Sequence, residues 1–138
     1  MKFSTKTTYG LRAIIRLAKN LNKNLNNGNV SLSSIANEEK ISLAYLEKIF
    51  SRLKKAGLVN ADKGMSGGYS LAKASVRISV FEIIEALEGK SQLFYCLNDD
   101  GKRYCSKACS CEVNSALGKI QTSINQSLND IKLSELLN

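Results

Sequence analysis

All four cysteines of this 138-residue chain sit in one short stretch, YCLNDDGKRYCSKACSCE, at residues 95–112. Eight residues separate Cys96 from Cys105, three separate Cys105 from Cys109, and one separates Cys109 from Cys111. Clustered thiols support a small set of chemistries. As soft, charged sulfur ligands they bridge well to iron and sulfide, in clusters whose potential follows net charge, hydrogen bonding and exposure. Zinc is a second option, but the paired two-residue knuckles of common structural zinc modules are missing. A third is a metal-free switch, in which Cys105, Cys109 and Cys111 pair as a disulfide beside Lys102, Arg103 and Lys107, whose charges favour reactive thiols. Inert burial is the fourth reading, and a segment containing glycine, lysine and aspartate offers little apolar cover.

Other chemistries find no residues to carry them. The chain has no histidine, hence no Ser/His/Asp set. Asp99 and Asp100 lie beside basic residues and read as solvated. The glycine-rich GMSGGYS lacks the Gly-Lys-Ser/Thr ending of a phosphate loop, and a strand pattern follows it in place of a helix. Catalysis is not expected.

At 15.1 kDa and 43% hydrophobic the chain can bury one modest core. Its net charge of +8 points to a polyanionic partner such as nucleic acid. The charge is uneven: residues 1–77 hold fourteen basic and four acidic side chains, residues 78–138 six and eight. The N-terminal part should therefore face the polyanion. The longest unbroken apolar run, LFYCL, is five residues, so no secretory or membrane-spanning segment is expected and the compartment reads as cytoplasmic. Cellular reductants keep ordinary cysteine pairs open there, which favours metal ligation or redox work. The Asn-rich NLNKNLNNGN, with Gly28, reads as a helix end and a polar loop.

The elements that must carry this chemistry follow from periodicity. TTYGLRAIIRLAKNL places Tyr9, Ala13, Ile14, Leu17, Ala18 and Leu21 at helical spacing, with Arg12, Arg16, Lys19 and Lys23 around the rest of the cylinder. Ser31 caps a short helix carrying Leu32, Ile35 and Ala36; a tight turn at residues 38–40 leads to Ser42, which caps a second helix burying Leu46, Ile49, Phe50 and Leu53. Its other face offers Ser42, Ala44, Tyr45, Glu47, Lys48, Ser51, Arg52 and Lys55 to solvent. A helical bundle would show such helices too, yet this arrangement also fits a DNA major groove about 12 Å wide. The next segment, GLVNADKGMSGGYSLAK, closes the helix at Gly57 and reads as a β-hairpin: an apolar pair, Leu58 and Val59, a glycine-rich tip with Lys63, then Tyr69 and Leu71 in alternation. Three helices and a hairpin make a winged helix. Such a tip can approach phosphates or a minor groove.

VFEIIEALEG adds a helix through Val80, Ile83, Ile84 and Leu87. Beyond the cysteines Val113, Leu117, Ile120, Ile124, Leu128 and Ile131 recur at intervals of three or four, a single apolar seam on a long helix. Such a seam needs a partner surface, its own domain or a second subunit. The fold class expected is mainly α with a small β wing, a winged helix-turn-helix domain at 1–78 followed by a cluster-binding loop and dimerisation helices at 79–138.

In order and spacing, STKTTYGLRAIIRLA, SLSSIANEEKISLAYLEKIFSRLKKAGLV, GMSGGYSLAK and ISVFEIIEALEG resemble the Rrf family of bacterial winged-helix regulators, which includes IscR-type and NsrR-type iron-sulfur proteins. The resemblance spans almost the whole chain. It implies that Ser42, Ala44, Tyr45 and Glu47 lie at or near base edges, that Lys48, Arg52 and Lys54 lie near phosphates, and that Lys63 holds the wing position where relatives often place a minor-groove arginine. Lysine keeps that charge but loses the planar fork. It also implies a homodimer through Val113, Leu117, Ile120, Ile124 and Leu128, suited to a double-stranded operator with two-fold symmetry.

Cys96, Cys105 and Cys111 match the three cysteines by which iron-sulfur members of the family hold a 2Fe-2S or 4Fe-4S cluster. The fourth ligand departs from the pattern. Where IscR-like relatives carry a histidine three residues after the last cysteine this chain has Asn114, and the first-helix carboxylate of NsrR-like relatives is absent because the first acidic residue is Glu38. Cys109 is the substitute candidate; solvent, a thiol or a backbone group is the alternative. The function implied is a DNA-binding repressor tuned by its cluster; a metal-independent thiol-switch repressor and a cluster-binding module that does not bind DNA are the alternatives.

Overall fold

The computed structural model describes residues 3–24, 28–64, 67–90 and 111–138. Among these residues five α-helices and one hairpin follow in the order α1 (Thr5–Lys23), α2 (Leu32–Glu39), α3 (Leu43–Lys55), β1 (Val59–Asp62), β2 (Gly68–Leu71), α4 (Val80–Glu88) and α5 (Glu112–Asp130), with 3-10 turns at Ser75–Arg77 and Leu133–Leu136. No helix among the described residues is long and apolar enough to cross a membrane.

Caps set where the helices begin. Ser31 Oγ accepts from the Ser34 amide and Ser42 Oγ from the Tyr45 amide, both at 3.2 Å, satisfying donors that the first turn leaves unpaired. Ser79 and Glu82 form a reciprocal capping box on α4. Between α2 and α3 the chain turns through Lys40 in the left-handed region (φ 56°), and Ile41 donates back to the Ala36 carbonyl at 3.1 Å. The tight turn expected at residues 38–40 thus falls at Lys40 and Ile41, because α2 continues through Glu39.

α3 stops by a Schellman arrangement. Gly57 takes φ 75°, which costs a residue without Cβ little; its amide bonds the Lys54 carbonyl, and Leu58 donates to Leu53 at 3.0 Å. Leu58 is accordingly buried against the end of the helix and is not part of the strand; pairing begins at Val59, with Val59 opposite Leu71 and Asp62 opposite Gly68. Val30, just before α2, pairs with Tyr69 through two backbone hydrogen bonds of 2.8 and 3.0 Å, a contact that the polar loop did not suggest.

One core serves both halves of the chain. Ile14 and Leu17 from α1, Ile35 from α2, Leu46, Ile49, Phe50 and Leu53 from α3, and Ile83 and Leu87 from α4 form a single buried cluster. All nine are positions that the helical periodicity marked. At the α1–α4 crossing Leu87 lies so close to Gly10 that a Cβ there would stand 2.2 Å from its Cδ1, so any larger residue would force the buried Leu87 side chain to shift. Leu133, after α5, joins the same cluster; its amide bonds the Ile78 carbonyl at 2.8 Å, while Val80 donates to Ile131 at 2.9 Å. The end of the chain thus returns to the N-terminal core across residue 78.

Helix α5 is different: none of its residues is buried. Leu117, Ile124 and Leu128 are half-buried, while Val113 and Ile120 are 60% and 46% exposed. Ile124 and Leu128 line an apolar groove with Phe3, Phe81 and Ile84.

Candidate nucleic-acid interface and cysteine segment

α3 turns its apolar stripe into the core and its other face outward. Ser42, Ala44, Glu47, Lys48, Arg52 and Lys54 are all exposed, and Lys63 is exposed where β1 runs into the hairpin tip. Lys48, Lys54 and Lys63 form no ion pair among the described residues, so their charge is open to an external anion.

Two residues of the expected interface do more than face solvent. Tyr45 is half-buried, its ring edge-on to Tyr9 of α1 with centroids 5.8 Å apart and planes at 87°. Arg52 donates from Nη1 to the Leu87 carbonyl at 3.0 Å, tying α3 to the last turn of α4. Sequence spacing put both on the polar face and had no means of showing these partners, which come from other helices.

Two of the five basic residues of α1, Arg12 and Arg16, are compensated. Arg16 Nε reaches Glu39 Oε1 at 2.7 Å and Glu38 Oε2 at 3.4 Å, and Arg12 Nε reaches Glu39 Oε2 at 3.1 Å. Burial alone would push the Glu39 carboxyl up, but hydrogen bonds from Arg16 and Arg12 outweigh it and hold the group below the usual carboxylate range. Arg16 is raised in return, chiefly by the same bond to Glu39. The outward positive field of the N-terminal part therefore comes more from α3 and the hairpin than from these two arginines.

The hairpin is anchored at three points. Tyr69 of β2 meets Phe50 of α3 edge-on at 4.9 Å, the Val30 bridge covers its outer edge, and Asn29 Nδ2 donates to Asp62 Oδ2 at 2.9 Å. Asp62 Oδ1 also accepts from the Gly64 amide at 3.3 Å, which orders the approach to the tip beside Lys63. Asn29 and Asp62 were missed from sequence because a polar pair thirty-three positions apart has no local signature.

Of the four cysteines, Cys96, Cys105 and Cys109 lie outside the described residues. Cys111 is the N-cap residue of α5, half-buried, a free thiol with no side-chain cap hydrogen bond, so helix capping does not consume its sulfur. Asn114 lies three residues further into α5, half-buried. Among the described residues no three His, Cys, Asp or Glu side chains gather as a metal site. The donor set is nonetheless of the right kind: four thiols and no imidazole suit iron or a disulfide. Just ahead of this segment Glu88, the last residue of α4, accepts hydrogen bonds from Ser4 N at 3.1 Å and from the hydroxyls of Ser4 and Thr7, pinning the start of α1. Those hydroxyls hold its carboxyl below the usual range.

Comparison with known proteins agrees with this architecture. The family model described as "Rrf2: Iron-dependent Transcriptional regulator" matches residues 3–138. A putative HTH-type transcriptional regulator of Haemophilus influenzae is 36% identical over 138 residues, covering 100% of this chain and 87% of the relative. Among solved structures, IscR of T. potens superposes with TM-score 0.73 at 34% identity, over 99% of this chain and 86% of that one. The oxidized form of Staphylococcus aureus CymR gives 0.70 at 32%, over 100% and 97%. A winged helix with an open basic face, matched across its whole length by regulators and by no enzyme among these relatives, has one reading: the chain belongs to the Rrf2 family and is a DNA-binding transcriptional regulator.

Proposed function

We propose that the chain works as a homodimeric repressor on a double-stranded operator with two-fold symmetry, and that a 2Fe-2S or 4Fe-4S cluster held by Cys96, Cys105 and Cys111, with Cys109 as fourth ligand, tunes its affinity. The observation that carries the DNA part is the outer face of α3, whose exposed polar and cationic side chains continue without an ion pair into the hairpin at Lys63. In this reading Ser42, Ala44, Tyr45 and Glu47 meet base edges in the major groove, and Lys48, Lys54 and Lys63 neutralise phosphates. Arg52, whose Nη1 serves Leu87, keeps its remaining donors for a phosphate. Residues 1–78 then read DNA, and residues 79–138 sense and pair.

Pairing is supported by α5. Its seam of Val113, Leu117, Ile120, Ile124 and Leu128 has nothing buried within one subunit, and a second copy supplies the missing cover. Bound iron would supply one-electron chemistry and a target for oxidants or nitric oxide. Cys111 is the N-cap of α5, and Glu88 at the end of α4 ties that helix to α1, so in this reading a change of cluster state reaches the reader through the helices on either side of the cysteine segment.

A second reading has its own support: likeness to a CymR whose structure is of an oxidized form favours a thiol switch without metal. One experiment separates them. Protein purified without oxygen is assayed for iron, acid-labile sulfide and visible absorption, alongside Cys105→Ala. Stoichiometric iron and sulfide, lost in the variant, are expected; iron-free, colourless protein whose DNA affinity answers to peroxide would replace the cluster with the thiol switch.

A further inference from the structure

The base-reading face of α3 does not hold itself in place. Tyr45 sits in the first turn of α3, its amide fixed by the Ser42 cap and its ring standing edge-on to Tyr9 of α1. Tyr9 is fixed in turn: the Arg12 guanidinium lies over its ring with 5.6 Å to the centroid, and Arg12 is held by two hydrogen bonds to Glu39, Nε to the carboxylate at 3.1 Å and Nη2 to the main-chain carbonyl at 2.5 Å. Edge-to-face rings and a cation over a ring face are both attractive and both directional. Glu39 closes α2, immediately before the left-handed turn at Lys40 that launches α3. The chain of contacts therefore runs from the turn between the two helices, through α1, back to the side chain that faces the groove.

We infer that Tyr9 is a positioning residue for sequence discrimination: with Arg12 as its lock, it holds Tyr45 in the one rotamer from which that side chain reads a base. The physical reason is entropy. An exposed tyrosine in the first turn of a helix samples several rotamers, and each contact it makes with DNA must then offset their loss; a wall formed by a neighbouring helix removes that cost before binding. The contribution goes to base selectivity and not to general affinity, because neither Tyr9 nor Arg12 needs to touch a phosphate for it to work. Arg12 remains 44% exposed yet is committed to Glu39, which separates it from the open lysines of α3.

The inference rests on the assignment of Tyr45 to base readout, and its test keeps the two apart. A duplex is first selected from a randomised pool with the wild-type dimer. Affinities for that duplex and for single-base-pair mismatches are then measured for wild type, Tyr45→Ala, Tyr9→Ala, Tyr9→Phe and Arg12→Gln, with melting temperature and salt slope for each. Tyr45→Ala identifies the mismatch positions it reads. At those positions Tyr9→Ala should lose about tenfold in discrimination, within the range of a single base contact, with an unchanged salt slope. Tyr9→Phe, which keeps the ring edge, should retain the wild-type ratio, and Arg12→Gln, at an exposed position, should lose about threefold. A folded Tyr9→Ala or Arg12→Gln protein with full discrimination at positions relaxed by Tyr45→Ala overturns the inference. Should Tyr45→Ala itself relax none, the base-readout assignment is what fails.

Discussion

Glu88 is the residue whose environment makes the plainest physical demand. It ends α4 and accepts from the backbone and hydroxyl of Ser4 and the hydroxyl of Thr7, and these bonds favour its charged form. A carboxyl held below its unfolded value adds stability that is fully present above that value and is lost as pH falls through the folded one. Glu88→Gln should therefore cost about 1 kcal/mol near neutrality, and the gap between variant and wild type should close as pH drops below the ordinary value of 4.5. Melting curves from pH 7 to pH 3 read it directly; a gap constant across that range would mean the amide replaces the carboxylate poorly for reasons of shape. Burial pushes the Glu82 carboxyl up, but hydrogen bonds from Lys73, at 2.5 Å, and Ser79 outweigh it and hold it below the usual range; an ion pair this exposed to solvent adds little to stability.

At the scale of elements, the question is what orients α3. Its inner stripe packs on α1 and α4, and Arg52 adds a directional tie to the Leu87 carbonyl. Leu87 also fills the space over Gly10, so the last turn of α4 holds α1 with its side chain and α3 with its backbone. Arg52→Ala is expected to lower the melting temperature by a few degrees, the loss of about 1.5 kcal/mol from one hydrogen bond to a charged group. Its salt slope on operator DNA discriminates roles. Lys63→Ala, with no ion pair among the described residues to lose, should lower the slope by about one and leave the melting temperature alone. A like fall for Arg52→Ala would show its guanidinium on a phosphate as well as on Leu87; an unaltered slope would confine it to orienting the helix.

For the molecule as a whole, the proposed assembly turns on the seam of α5. Ile120 is 46% exposed and, among the described residues, is not one of the hydrophobic side chains packed against the core, so Ile120→Glu should leave the subunit fold intact. In the proposed dimer the same change buries an unpaired charge at the centre of the interface, which few interfaces survive. Sedimentation should show monomers at micromolar concentration, with operator affinity falling by a hundredfold or more, on the order of the gain from joining two half-site contacts. A variant that stays dimeric would place the interface elsewhere on the molecule.

Much of this was legible before any coordinates. Ser31, Ser42, Gly57 and the apolar stripe of α3 announce their elements because caps, left-handed turns and a 3.6-residue period are local properties, decided by residues a few positions apart. The outward placement of Lys48 on the polar face of an amphipathic helix and of Lys63 at a glycine-rich tip was legible for the same reason, while Lys54 came from the family resemblance. The pairings were not. Arg12 and Arg16 counted as free positive charge until α2 brought Glu38 and Glu39 against them, and Tyr45 and Arg52 were surface residues until α1 and α4 supplied Tyr9 and the Leu87 carbonyl. The return of Leu133 to the core and the Val30 bridge to Tyr69 belong to the same class. The sequence alone determined which residues carry charge, thiols and apolar stripes, and where helices start and stop, since those depend on near neighbours. Only the tertiary structure decided which charges are already compensated and which side chains are held ready, since those depend on contacts between residues tens of positions apart, which no local pattern encodes.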